Sequence, residues 1–279
     1  MREGITNRFY ESWYVTLNIQ YLKFVTKYFR DGMAIMLYAI IAGSGVDDSS
    51  IQRKWKQMQT PYGMADISYT FLGDRETLFV RRHGPGMNVP PHLINYHANI
   101  WTMKELGVKY IVATAAVGSL HISLKPGTLT VINDFIDFTK QHVVTIYDKI
   151  GDTVVHTDFS VPYSITVSDA LHRAIIDVDG FAAPPSTYVC VDGPRYETPA
   201  EIRMFASWGG DVVGMTGAPE VIIANEMGIE YGSLAIISNF ASGVVDQKLS
   251  HDDVLATVNK RQRYISNILE KTVGLLPDR

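Results

Sequence analysis

The chain has 279 residues, 25 basic and 29 acidic, for a formal net charge of −4, and 46% of it is hydrophobic. That composition supplies a large core and excludes disordered, collagen-like and coiled-coil classes. A pI near 6.1, with no run of five like charges, argues against a duplex-binding face, so nucleic acid is not an expected partner. No stretch reaches 18 apolar residues: Met33 to Ala42 is about half of what a bilayer requires, so no membrane association is expected of the main body. The single cysteine, Cys190, has no partner for an internal disulfide and sits in an apolar run, which predicts a buried, inert thiol and a reducing, cytoplasmic compartment.

In chain order, residues 1–35 form an N-terminal extension in which aromatics (Phe9, Tyr10, Trp13, Tyr14, Tyr21, Phe24) alternate with charges. It lacks the apolar core and small-residue cleavage site of a secretory signal. Three readings stay open: an amphipathic helix on the surface, a membrane-surface or partner helix, or sequence upstream of a true start at Met33 or Met36. Residues 36–279 form the main domain. Short β-branched runs alternate there with longer helical stretches, the pattern of an α/β domain with a mixed central sheet flanked by helices. Strands are expected at Leu37–Ala42, Thr77–Val80, Lys109–Thr114, Thr128–Ile132, Thr187–Val191 and Tyr231–Ser238. A helix is expected from Pro91 to Leu106, stopped by Gly107. Thr198-Pro199-Ala200-Glu201 is a capping box opening a second helix, Pro219-Glu220 opens a third, and Ser250-His251-Asp252-Asp253 opens the C-terminal one.

Six loops at predicted strand ends carry small or polar residues, which points to one composite site. They are Gly43-Ser44-Gly45, Arg81-Arg82-His83-Gly84, Ala113–Ser119, Val191–Glu197, Gly214-Met215-Thr216-Gly217 and Ser238–Gly243. The first follows a buried strand, where backbone N–H groups bind phosphates, but it lacks both the third glycine of a dinucleotide fingerprint and the Gly-Lys-Ser/Thr of a triphosphate loop. The second sets two guanidinium groups and an imidazole on a glycine-rich loop suited to an oxyanion. Each has a bland alternative: a tight turn, a solvated basic loop, a close helix–strand contact, a turn asparagine at 239, a capping carboxylate at Glu197. His92, His97, His121, His142 and His172 show no metal spacing, and no metal is expected.

Taken in order, Gly43-Ser44-Gly45, Arg82-His83-Gly84, Asn95–Trp101, Ala115–Ser119, Gly193-Pro194-Arg195 and Gly214-Met215-Thr216 resemble the trimeric purine nucleoside phosphorylases. The similarity is greatest to the 5′-methylthioadenosine/methylthioinosine phosphorylase branch, and it runs from about Leu37 to the C-terminus. It implies a homotrimeric, cytoplasmic pentosyltransferase of purine salvage with the phosphorylase fold. Phosphate would attack C1′ of a purine nucleoside and release the base, with inorganic phosphate as co-substrate and no cofactor. Carried over residue by residue, Ser44, Arg82, His83, the Ala115 backbone and Thr216 hold phosphate, and Met215 packs under the ribose. Ala116, Val117 and Gly118 line the base pocket, with Tyr196 stacked on the purine.

Adenine-using relatives carry aspartate where this chain has Asn239, and commonly serine at Glu197. An amide can bond N7 and a 6-oxo group together while Glu197 accepts from N1–H. The pair therefore resembles the hypoxanthine/guanine-cleaving enzymes, with Arg82, His83 and Asn239 as the catalytic set. His251 matches a histidine near the 5′-hydroxyl of those enzymes, and His156 one that reaches the 5′ region from a neighbouring subunit. Met87 departs from the histidine common in the Arg-His-Gly loop. Inosine, guanosine and 5′-methylthioinosine all stay open as substrates. The rivals are a 5′-methylthioadenosine phosphorylase, a hydrolytic nucleosidase and a non-catalytic nucleoside-binding protein.

Overall fold

The first expected strand forms as β1 (Tyr38–Ala42), and all five residues are buried, as in a strand covered on both faces. The computed structural model describes residues 37–43, 46, 54–84, 86, 88–140, 144–148 and 154–278. The N-terminal extension, Ser44, Gly45, Met87 and His142 lie outside the described residues. Among those described, the remaining strands are β2 (Lys56–Thr60), β3 (Gly63–Leu72), β4 (Arg75–Arg81), β5 (Tyr110–Ser119), β6 (Leu129–Asp137), β7 (Ser186–Cys190), β8 (Val212–Gly214) and β9 (Glu230–Phe240). The helices are α1 (Tyr96–Glu105), α2 (Ile165–Asp179), α3 (Pro199–Ser207), α4 (Gly217–Glu226) and α5 (His251–Leu275).

The strands make one mixed sheet in the order β2-β3-β4-β1-β5-β8-β7-β6-β9, and β9 pairs back onto β5. Strands β5, β8, β7, β6 and β9 thus close a circuit, while β1 to β4 extend from it as a flap. β5 is the branch point. Its first half lies between β1 and β9, in register from Tyr38↔Tyr110 to Ile41↔Ala113. Beyond that point β1 has ended, and Gly118 and Ser119 pair with β8 instead. The β5–β9 register also shifts between Val117 and Gly118, a bulge that re-aims the residues after it. Open α/β sheets bind ligands where neighbouring strands diverge in this way.

Helix α2 shows why the outer layer forms. Its buried residues Val167, Ala170, Leu171, Ala174 and Ile175 recur at three- and four-residue spacing, one stripe of a helix. Ser164 caps the start by accepting from the Val167 N–H, and Gly180, at φ 79°, ends it. The stripe meets Val258, Ile265 and Ile268 of α5 and Leu234 and Ile236 of β9 in one core. Each fully buried aliphatic side chain there contributes about 1.5–3 kcal/mol.

The structure also differs from expectation in places. The helix predicted from Pro91 to Leu106 is a short 3₁₀ turn, Pro91–Leu93, followed by a separate α1. Asn95 makes the break: its side chain accepts from the Ala98 N–H as a cap and donates from Nδ2 to the Tyr62 carbonyl. The β2–β3 hairpin was not expected, because Lys56, Gln57 and Gln59 carry its exposed face and little apolar signal remains. Among the described residues no helix is long and apolar enough to cross a membrane.

Candidate active site

β1 delivers Gly43 to the branch point, where its N–H donates to Thr114 Oγ1 at 2.9 Å. A Cβ on Gly43 would lie 2.6 Å from the Thr114 carbonyl oxygen and 2.8 Å from Arg82 Nη1, so only glycine allows this approach. Arg82, just past β4, is 3% exposed. Its Nε and Nη2 donate to the two oxygens of Glu220 at 2.6 and 2.7 Å, and Nη1 donates to the Thr114 carbonyl at 2.7 Å. Glu220 Oε2 also accepts from the Tyr231 hydroxyl at 2.9 Å. Burial alone lowers the guanidinium's pKa, but the Glu220 carboxylate more than reverses that, and Arg82 stays a cation.

His83 lies beside this pair, with Nδ1 2.9 Å from the Val89 carbonyl oxygen. Burial, then the Arg82 charge, lowers its pKa, and His251 adds to that effect, while the Val89 bond and Glu220 oppose it. Across from it, α4 begins at Thr216 without capping by Thr216's own side chain. The Tyr188 hydroxyl accepts from the Thr216 and Gly217 N–H groups instead, at 3.1 and 3.4 Å, which leaves the Thr216 hydroxyl clear of that duty. Cys190 is fully buried below the same turn, and burial pushes its thiol up to about 12 despite hydrogen bonds from Ala218, Tyr188 and Gly217. Such a thiol is not a nucleophile at neutral pH.

Asn239 ends β9. Its Oδ1 accepts from the Ser238 hydroxyl at 2.7 Å, and its Nδ2 donates to the Phe240 carbonyl at 2.9 Å. Those bonds fix which way the amide faces and leave one N–H and one lone pair for a ligand. Gly118 sits opposite, and a Cβ there would come 3.3 Å from Nδ2. Glu197 is 7% exposed. Burial raises its pKa against the pull of its own backbone N–H, the Glu201 charge raises it further, and Arg195 lowers it. It is not the helix cap: Thr198 accepts from the Glu201 N–H at 3.2 Å, and Glu201 accepts from the Thr198 N–H at 2.7 Å. Gly193, at φ 66°, packs directly on the Met215 sulfur and positions that side chain.

These groups surround a cavity of about 390 Å³, large enough for a nucleoside-sized ligand. The structure brings Arg82, His83, Ala115, Ala116, Gly118 and Tyr196 onto its wall, together with Glu197, Met215, Thr216, Asn239 and His251. Two expected positions are absent from that wall. Val117 is 1% exposed, buried in the sheet, and does not line the cavity. His156 is exposed on the segment before α2 and does not line the cavity of its own chain. Ser44 lies outside the described residues. Sequence reading missed Glu220, Tyr188, Thr114 and Val89, which hold the others in place, and Asn88 and Pro90, which add to the wall. Among the described residues no group of three His, Cys, Asp or Glu could hold a metal ion. His97 and His121 are tied to the carbonyls of Thr145 and Gly210.

The model of the Phosphorylase superfamily matches residues 38–274. A 6-oxopurine nucleoside phosphorylase of Pyrococcus furiosus is 42% identical over 245 residues, covering 86% of this chain and 92% of that protein. A protein of Methanothermobacter thermautotrophicus named "Probable S-methyl-5'-thioinosine phosphorylase" is 41% identical over 242 residues, 85% of this chain and 83% of that one. Among solved structures, the methylthioadenosine phosphorylase of Schistosoma mansoni in complex with adenine superposes with a TM-score of 0.80 at 30% identity, covering 86% and 91%.

Proposed function

Because this chain belongs to the phosphorylase superfamily, we propose that it catalyses phosphorolysis of 6-oxopurine nucleosides, giving a free purine and ribose 1-phosphate or its 5-methylthio analogue. One observation carries the reading. One cavity brings the Arg82 cation, His83 and Thr216 together with an oriented amide and a buried carboxylate, Asn239 and Glu197. The names of relatives at 42% and 41% identity support the 6-oxopurine choice.

In this reading phosphate lies against Ser44, Arg82, His83, the Ala115 backbone and Thr216, placed to attack C1′. As the C1′–N9 bond breaks, its electron pair passes to the purine and positive charge develops on the sugar. The phosphate oxygens stabilise the sugar, and the free N–H of Asn239 Nδ2 stabilises the purine at N7. That same N–H reaches the neighbouring 6-oxo oxygen as a shared donor, and Glu197 accepts from N1–H. Met215 supports the ribose and Tyr196 the base. His251, at the first turn of α5, meets the 5′ substituent, and its polarity favours a hydroxyl over a methylthio group. Inorganic phosphate is the co-substrate and no cofactor takes part. We place the enzyme in the cytoplasm as a homotrimer. His156, exposed and off its own cavity wall, then completes the 5′ end of a neighbouring subunit's site.

Product analysis tests the reading. Inosine incubated with the protein and phosphate is expected to yield ribose 1-phosphate, visible by phosphorus NMR. Free ribose at an equal rate without phosphate would make the protein a hydrolase, and binding without base release would make it a non-catalytic module.

A further inference from the structure

The oxyanion-binding group has an unusual balance of charge. Arg82 contributes a cation, but Glu220 cancels it at contact distance, with both side chains buried. Among the described residues of that group the remaining cationic candidate is His83, and the ring's hydrogen bonding defines its tautomer. A carbonyl oxygen can only accept, so Nδ1, 2.9 Å from the Val89 oxygen, carries the proton. In the neutral imidazole Nε2 is then a lone pair. His83 lies on the cavity wall, and no described residue bonds to Nε2.

Among the described residues, the charged and titratable groups facing the ring are Arg82 beside it, Glu220 from α4 and His251 from α5. Burial first, then Arg82 and His251, favour the neutral ring, and the Val89 carbonyl and Glu220 offset them only in part.

We propose that this site selects oxyanions that carry a proton of their own, phosphate and arsenate, over a fully deprotonated tetrahedral anion such as sulfate, with His83 Nε2 as the discriminating acceptor. This rests on the phosphate-binding reading above and deepens it. Hydrogen phosphate donates its P–O–H to Nε2 and turns its other oxygens to the N–H and O–H donors. Sulfate has four acceptor oxygens and meets a lone pair. It binds only when Nε2 takes a proton from solvent, which makes sulfate binding proton-coupled and phosphate binding not.

Isothermal titration of the native protein with phosphate, arsenate and sulfate, each from about pH 8 to about pH 9.5, where phosphate and arsenate stay hydrogen dianions, reads this directly. The sulfate Kd is expected to rise about tenfold per pH unit above the titration of His83, while phosphate and arsenate stay within about twofold. In buffers of different ionisation enthalpy at the alkaline end, sulfate should take up about one proton and phosphate about none. In His83→Gln, whose amide can donate or accept, the phosphate-to-sulfate ratio should lose its pH dependence. A ratio constant across pH in the native protein, or equal proton uptake by the two anions, overturns the proposal. So does a pH dependence that persists in His83→Gln. Equal binding of sulfate and phosphate with phosphorolysis intact sinks this inference alone. Intact selectivity without phosphate-dependent base release sinks the functional reading alone.

Discussion

Replacing Glu220 by glutamine keeps the side chain's shape and removes the charge that Arg82 faces. Three donors converge on the carboxylate, Arg82 Nε at 2.6 Å, Arg82 Nη2 at 2.7 Å and the Tyr231 hydroxyl at 2.9 Å, in a site where Glu220 is 1% exposed. Glutamine offers one oxygen, and its NH₂ then confronts an N–H or O–H donor. Charge-assisted hydrogen bonds are worth about 1.5–3 kcal/mol each. Stranding a buried cation costs about 3–5 kcal/mol, and the second figure, which already contains the first, is the loss expected for Glu220→Gln. Urea unfolding at fixed protein concentration should show the midpoint fall with the slope unchanged. Kinetically, the KM for phosphate should rise more than that for the nucleoside, because the pair orients Arg82 and not the base. An Arg82→Met/Glu220→Leu double variant should recover most of the stability and none of the phosphate dependence. A loss below about 1 kcal/mol in Glu220→Gln, with an unchanged phosphate KM, would refute the reasoning.

Asn239→Asp should shift the kcat/KM ratio from inosine towards adenosine by about tenfold or more, since each mismatched polar group costs about 1–3 kcal/mol; an unchanged ratio would show that another residue reads position 6. Glu197→Gln should lower kcat/KM for inosine yet raise the Tm at neutral pH. The folded Glu197 pKa lies above the unfolded one, so between the two the native state binds more protons and stability falls as pH rises; the ionised carboxylate is a cost above that window. The Tm gap between variant and native protein should therefore shrink on acidification. Tyr188→Phe leaves the Thr216 and Gly217 N–H groups without their acceptor and should cost about 1–3 kcal/mol in denaturant unfolding.

What the sequence discloses and what it conceals divide along physical lines. Strand ends announce themselves locally, because a β-branched run stops at small or polar residues, and five of the six expected loops bring described residues to the cavity. The α3 capping box is likewise local: Thr198 and Glu201 are three residues apart and bond reciprocally. Glu220 and Arg82 are 138 residues apart, and nothing in the stretch around Pro219 distinguishes a buried counter-ion from an ordinary helix-opening glutamate. Tyr188 reads as a core aromatic of β7, and only the fold shows its hydroxyl capping α4. Val117 belongs to the contiguous run, Ala116 to Gly118, that the motif names, and its burial off the cavity wall is visible only in the fold. The Asn95 break was concealed because Pro91 and Gly107 bracket a stretch whose helical pattern runs across the cap.

The central claim is phosphate-dependent cleavage with a 6-oxopurine preference, and one matrix of initial rates tests it: base release from inosine, guanosine, adenosine, 5′-methylthioinosine and 5′-methylthioadenosine, each with and without phosphate. Release should require phosphate throughout, and kcat/KM should favour each 6-oxopurine nucleoside over its adenine counterpart by about tenfold to a hundredfold, as the Asn239–Glu197 pairing implies. Phosphate-independent release, or a preference for adenine in both the ribose and the methylthioribose pair, would contradict it.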